Sequence, residues 1–320
     1  MAKSINWVST ALRIKNPKVS IPFYEKNFGM KVAKTSDSGD KTHYFMVRPK
    51  DAEASKFSYD PLNPPTEKKL FSHLCNYLEL IHKHGSETDE NLKYDSGNVE
   101  PKRGFGHIAF SVNDVYASCE RLEAAGAAFK KKPDEGRMKG LAFVLDPDGY
   151  WIEILKRTEG SGFSEEYNLS QTMMRIKDPA RSIAFYTGLL GMSLLTTRHF
   201  SDFSLYFLAS LSPDSDPLPT DDNKKYEFVK RLWNPVLELT FNHGTEKDEN
   251  FAYHSGNEDP LGFCNIGFAS NNLSETCSKL KKHGVRFAEK DLVEYIGAAT
   301  DGKIEVAIDP DGYAVKIVEK

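Results

Sequence analysis

The stretch LRIKNPKVSIPFYEKNFGM, residues 12–30, returns as MRIKDPARSIAFYTGLLGM at residues 174–192. Two more blocks return at nearly the same distance: GSETDENLKYDSGNVEP (85–101) as GTEKDENFAYHSGNEDP (244–260), and DPDGY at 146 and again at 309. A chain that repeats itself in this way is read as two superimposable halves before any single residue is interpreted. The small differences in spacing between the blocks place insertions in surface loops. The halves run over 1–158 and 169–320, and the polar, glycine-containing residues 159–168 read as a linker.

Each half divides again. VSTALRI reads as a strand, NPKVSIPFYEKNFG as a helix closing on glycine, and KVAKT, HYFMVR and NYLELIH as short strands. The order then repeats with the strand GHIAFSV, the helix NDVYASCERLEAAG and the strands AAFKKK, LAFVLD and YWIEIL. The expectation is an α+β protein of four βαβββ modules. Residues 50–69 and 211–226, rich in Pro, Asp and Lys, read as surface loops.

A length of 320 residues fits two domains, and 39% apolar residues with 12% aromatics can fill sizeable cores, which excludes a disordered chain. The net charge of −4 offers no positive field for nucleic acid or an anionic membrane surface, so the expected partner is a small molecule. Cys75, Cys119, Cys264 and Cys277 have no zinc-ribbon spacing and read as reduced, buried thiols of a cytoplasmic protein. No apolar run approaches the roughly 20 residues that cross a bilayer, and the N-terminal residues carry no apolar leader-like run.

The blocks LELIHKHGSETDEN, RGFGHIAFSV, GRMKGLAFVLDPDGYWIEIL and QTMMRIKDPARSIAFYTGLLGM resemble glyoxalase I, the lactoylglutathione lyase family of the vicinal oxygen chelate superfamily. The resemblance covers nearly the whole chain, and the tandem arrangement is similar to fused, monomeric members. It implies two curved, eight-stranded half-barrel sheets, each shared between the halves. It also implies a divalent metal held by Gln and Glu from the front of one half and His and Glu from the back of the other.

Carried over residue by residue, the resemblance is asymmetric. Gln171 of the second half is matched by Ser9, Glu238 by Glu79, His107 of the first half by Asn265, and Glu153 by Lys316. The crossed pairing Gln171, Glu238, His107 and Glu153 is complete, whereas Ser9, Glu79, Asn265 and Lys316 make a degenerate set. One working site is therefore expected. Imidazole, carboxylates and an amide oxygen suit zinc, with nickel or cobalt as alternatives. Alternation along YWIEIL and VLEL puts Glu153 and Glu238 on the face opposite their apolar neighbours. Lys316, which cannot ligate while protonated, could stand beside Glu79 as a charge pair.

The resemblance further implies that Arg103, Arg137, Met138, Arg175 and Asn242 hold the substrate. Arginine forks suit the carboxylates of glutathione, the co-substrate. Met138, Met173, Phe200, Leu205 and Phe207 would form an apolar pocket for the aldehyde. The implied reaction is isomerisation of the methylglyoxal–glutathione hemithioacetal to S-lactoylglutathione, with Glu153 and Glu238 as the catalytic carboxylates. An extradiol dioxygenase would need two histidines, and this set has one. A metal-free sequestering protein of the same fold would not need the four ligands.

Overall fold

The computed structural model describes residues 5–49, 76–159, 161, 166–211, 215–297 and 302–320. The first module supplies β1 (Ile5–Ile14), β2 (Lys31–Asp37), β3 (Lys41–Val47) and β4 (Tyr77–Lys83), and the second β5 (Phe105–Val112), β6 (Ala128–Lys131), β7 (Ala142–Leu145) and β8 (Trp151–Lys156). The third supplies β9 (Asn168–Ile176), β10 (Ser193–His199), β11 (Phe203–Ala209) and β12 (Val236–Asn242), and the fourth β13 (Phe263–Ser270), β14 (Ile304–Ile308) and β15 (Ala314–Glu319).

These strands form two open, mixed sheets, and the modules cross between them. One sheet runs β10-β11-β12-β9-β5-β8-β7-β6, the other β14-β15-β13-β1-β4-β3-β2. Each joins the first module of one half to the second module of the other along an antiparallel seam, β5 with β9 or β1 with β13. The second sheet has seven strands among the described residues where eight were expected. The eighth place is held by a short run around Phe287, which bridges Ala307 before the chain leaves for the helix Lys290–Gly297.

The helices Pro17–Phe28, Val115–Ala124 and Leu273–Lys282 bury their apolar residues in the main core. In Pro17–Phe28, Asn16 caps the first turn by accepting from Lys18 N, Pro17 occupies the first turn, and Gly29 ends the helix at φ 61°. Its counterpart Pro179–Ile183 continues as a π-turn, Ala184–Leu189. The DPDGY repeats tie modules together within each half. The Tyr24 hydroxyl donates to Asp146 (2.8 Å), while Asp148 accepts from Lys15 N and Ser20 Oγ. Tyr186, Asp309, Asp311, Lys177 N and Ser182 repeat the pattern.

A second device ties the halves to each other. The buried Arg175 guanidinium donates to the carbonyls of Gly97, Gly104 and Phe105 and to Asn98 Oδ1. Arg13 does the same with Gly256, Gly262, Phe263 and Asn257. Gly97 and Gly256 must be glycine here: both have positive φ, and a Cβ would lie 2.2 and 2.3 Å from the carbonyl oxygens of Phe105 and Phe263.

Two loop expectations meet different ends. Residues 50–69 lie outside the described residues. Within 211–226, the segment from Asp222 is helical as far as Val229, because Asp221 caps it by accepting from Lys224 N and Val229 buries an apolar side against Leu195 and Phe207. Cys119, Cys264 and Cys277 are buried thiols, and Cys75 lies outside the described residues. Among the described residues no helix is long and apolar enough to cross a membrane.

Candidate metal centre and active site

Four adjacent central strands of the eight-stranded sheet each contribute one polar side chain. His107 lies on β5, Glu153 on β8, Gln171 on β9 and Glu238 on β12. Register brings them together: Ala109 of β5 stands opposite both Glu153 and Gln171, and Met173 of β9 stands opposite both His107 and Glu238. Strand alternation sends the intervening Ile108, Ile152, Ile154, Leu237 and Leu239 into the core and leaves these four on the other face.

The geometry is that of a chelating cluster. One ligand atom from each of His107, Glu153 and Glu238 lies within 4.8 Å of the others. His107 Nε2 sits 3.3 Å from Glu153 Oε2, is buried, and has no hydrogen-bond partner. The Gln171 amide donates to Glu238. Burial pushes the Glu238 carboxyl up to about 7; nearby His107 opposes this and Glu153 reinforces it. No lysine or arginine among the described residues pairs with Glu153 or Glu238. Two buried carboxylates facing each other without a cation make a costly arrangement that a divalent ion would relieve.

The cluster forms the floor of a cavity of about 380 Å³. Arg103, Met138, Arg175 and Asn242 line it, as do Met173, Leu205 and Phe207. Arg175 nonetheless spends most of its N–H groups on the seam between the halves, and only its buried Nε lacks a partner. Asn242 donates to Tyr253 (2.9 Å) and Arg103 to Glu100 (2.9 Å). Arg137 is exposed and not in the lining; it forks onto Asp202 of the opposite half, which is, at 3.1 Å. Phe200 is not in the lining; it stacks on Phe203, which is.

Sequence reasoning missed several walls: Asn98, Phe143, Trp151, Asp202, Phe203 and Tyr226. Phe143 and Trp151 were legible in principle, since alternation along β7 and β8 places them on the His107 face. Asp202 and Tyr226 carried no such signal, one being in a tight turn and the other in a charged insertion.

The second sheet shows what the corresponding place becomes without ligands. Glu79 is buried between Lys316, whose Nζ donates to it at 2.8 Å, and His43, whose Nδ1 lies 2.8 Å away. Burial alone would raise the Glu79 pKa, but Lys316 and His43 outweigh it and hold the carboxyl at about 2. His43 went unnoticed in the sequence. Ser9 Oγ and both Asn265 side-chain atoms are buried without partners. The helix Lys290–Gly297 closes over this side, burying Ile296 against Ala11, Ile81 and Cys264 and offering the Tyr295 hydroxyl to Arg13 Nε (3.2 Å).

Comparison with known proteins agrees with this architecture. Residues 4–154 and 168–317 each match the family described as the glyoxalase/bleomycin resistance protein/dioxygenase superfamily. The chain is 38% identical to glyoxalase I of Saccharomyces cerevisiae, over 97% of this chain and 90% of that one. It is 35% identical to lactoylglutathione lyase of Schizosaccharomyces pombe, over 97% and 95% of the two chains. Among solved structures, glyoxalase I from Zea mays superposes with a TM-score of 0.65 at 23% identity, covering 99% of this chain and 92% of that one, a likeness of fold. With two copies of the fold and near-full-length identity of this order, the chain belongs to the glyoxalase I family, the lactoylglutathione lyases.

Proposed function

We propose that the chain isomerises the hemithioacetal of methylglyoxal and glutathione to S-lactoylglutathione at one composite site. The observation that carries this reading is the contrast between the two sheets: Glu79 is answered by a built-in ammonium, whereas Glu153 and Glu238 are answered by none. His107, Glu153, Gln171 and Glu238 would hold a divalent cation, zinc by the chemistry of these donors and nickel or cobalt as substitutes. When bound, the ion would polarise the substrate oxygens and acidify the proton on C1.

The side chains do the rest. Glu153 takes the C1 hydrogen as a proton and returns it at C2. The C1 hydroxyl becomes the thioester carbonyl and the C2 carbonyl becomes the lactoyl hydroxyl, so no external reductant is needed. Glu238, across the cluster from Glu153, serves the opposite hemithioacetal face. Arg103 and Arg137 receive the carboxylates of glutathione, Arg137 exchanging Asp202 for the ligand. Asn242 supplies an amide, Arg175 a wall charge, and Met138 an apolar flank. Ser9, Glu79, Asn265 and Lys316 form the inactive counterpart. The halves 1–158 and 169–320, joined through 159–168, supply every part of the site, so a cytoplasmic monomer suffices.

Elemental analysis of the purified protein, paired with hemithioacetal turnover before and after chelation, tests the reading. One divalent ion per chain with chelator-sensitive turnover supports it. Metal-free protein that binds glutathione conjugates without turning over the hemithioacetal would replace it with ligand sequestration.

A further inference from the structure

The helix Asp222–Val229 has no reason of charge to approach a chelating cavity, yet it lays one residue into the wall. Tyr226 packs edge-on against Phe207 at 6.0 Å, next in register to Glu238, and lines the cavity beside that carboxylate's strand. Arg198 stacks over its ring at 4.7 Å and Lys230 approaches it at 5.2 Å. Held by Phe207 and these cations, the ring has little freedom to turn away. The residue is half-buried, and its hydroxyl makes no hydrogen bond among the described residues. Because Phe207 stands opposite Glu238, the ring lies at the reacting end of the cavity.

The neighbours at this end are Leu205, Phe207 and Met173. A half-buried phenol with no hydrogen-bond partner among the described residues is a donor that a substrate oxygen can engage in place of water. On the proposed reading Arg103 and Arg137 take the carboxylates of glutathione, so the group brought to the Glu238 end, and to Tyr226, is the substituent carried on the sulfur.

We propose that Tyr226 is a specificity-determining residue that reads this substituent, favouring oxoaldehydes whose third carbon bears a hydrogen-bonding oxygen over purely apolar ones. This rests on the proposed glutathione-conjugate reading of the site. The phenol also limits depth, so a substituent as long as a phenyl ring meets it end-on.

The pair S-butylglutathione and S-(3-hydroxypropyl)glutathione differs only by a terminal methyl or hydroxyl at the place of the third carbon's oxygen, and neither can be isomerised. Calorimetric Kd values for both, on the wild type and on Tyr226→Phe, isolate the hydroxyl. The ratio of the two affinities should move against the hydroxypropyl conjugate by about 3- to 10-fold in the variant, the size of one neutral hydrogen bond. The same shift should appear in kcat/KM for hydroxypyruvaldehyde against methylglyoxal hemithioacetals. An unchanged ratio in a variant with wild-type melting temperature overturns the assignment. Conjugates that bind with the expected ratio to a protein lacking isomerase activity would leave Tyr226 as the reader and sink the proposed reaction instead. Failure of both conjugates to bind the wild type would overturn both.

Discussion

At the scale of the residue, two glutamates on equivalent strands have opposite fates. Glu79 is fully buried with Lys316 and His43, and Glu153 is buried with His107 and no cation. Glu153→Gln should lower kcat by about 10²- to 10⁴-fold, the range for a positioned acid–base group, in a steady-state hemithioacetal assay. Glu79→Gln should leave kcat within a few-fold but cost about 3–5 kcal/mol in urea denaturation, because it strands a buried ammonium. Equal kinetic losses would show that the working set has been assigned to the wrong sheet. The sign of the pH effect follows from the same carboxyl. Its folded pKa of about 2 lies below the ordinary 4.5, so its contribution is complete above about pH 4.5 and is lost as pH falls through 2. Urea midpoints measured from pH 6 down to pH 2.5 should fall in the wild type, and part of that slope should vanish in Glu79→Gln. The lysine at 316 could be read from YAVKIV, since a charge amid apolar alternation needs a partner. His43 could not: HYFMV places a histidine at a strand start, and nothing local says that its ring meets a glutamate 36 residues away.

At the scale of the element, what could be read was what periodicity governs. The strands β1, β5, β9 and β13 alternate or run apolar, and the helix Pro17–Phe28 announces itself by Asn-Pro at one end and Gly29 at the other. The helix Asp222–Val229 escaped because DDNKKYEF is charged at most positions and owes its place to one cap and the burial of Val229 and Tyr226. The role of Arg13 was likewise hidden, since it shares the RIK triplet with Arg175, which reads as a substrate contact by resemblance. Arg13→Met should leave the carbonyls of Gly256, Gly262 and Phe263 without a donor. The expected cost is about 3 kcal/mol, a few unmet buried acceptors partly relieved by water. The chemical denaturation midpoint checks this. A change within about 0.5 kcal/mol, the range of an ordinary surface substitution, would mean the guanidinium is not a staple.

At the scale of the whole molecule, the crossing of modules was foreshadowed by the asymmetry of the repeat, because only a crossed pairing yields four ligands. The register that executes it was not legible, since hydrogen bonding between β5 and β9 is a contact between halves. It predicts that residues 1–160 and 165–320, made separately, are each inactive, as neither carries both His107 with Glu153 and Gln171 with Glu238. Co-expression should restore part of the activity, limited by the loss of the tether's effective concentration. An isolated half that turns over hemithioacetal would refute the composite site.

The pair of Lys316 and Glu79 also separates the maturation of the molecule from its nutrition. One sheet carries its own positive charge in the gene, and the other, on the proposed reading, borrows one from the medium. A cell short of metal would therefore accumulate folded, dormant protein rather than debris. Chelation should silence turnover while leaving a cooperative melt, and a fresh ion should wake the same molecules without refolding them.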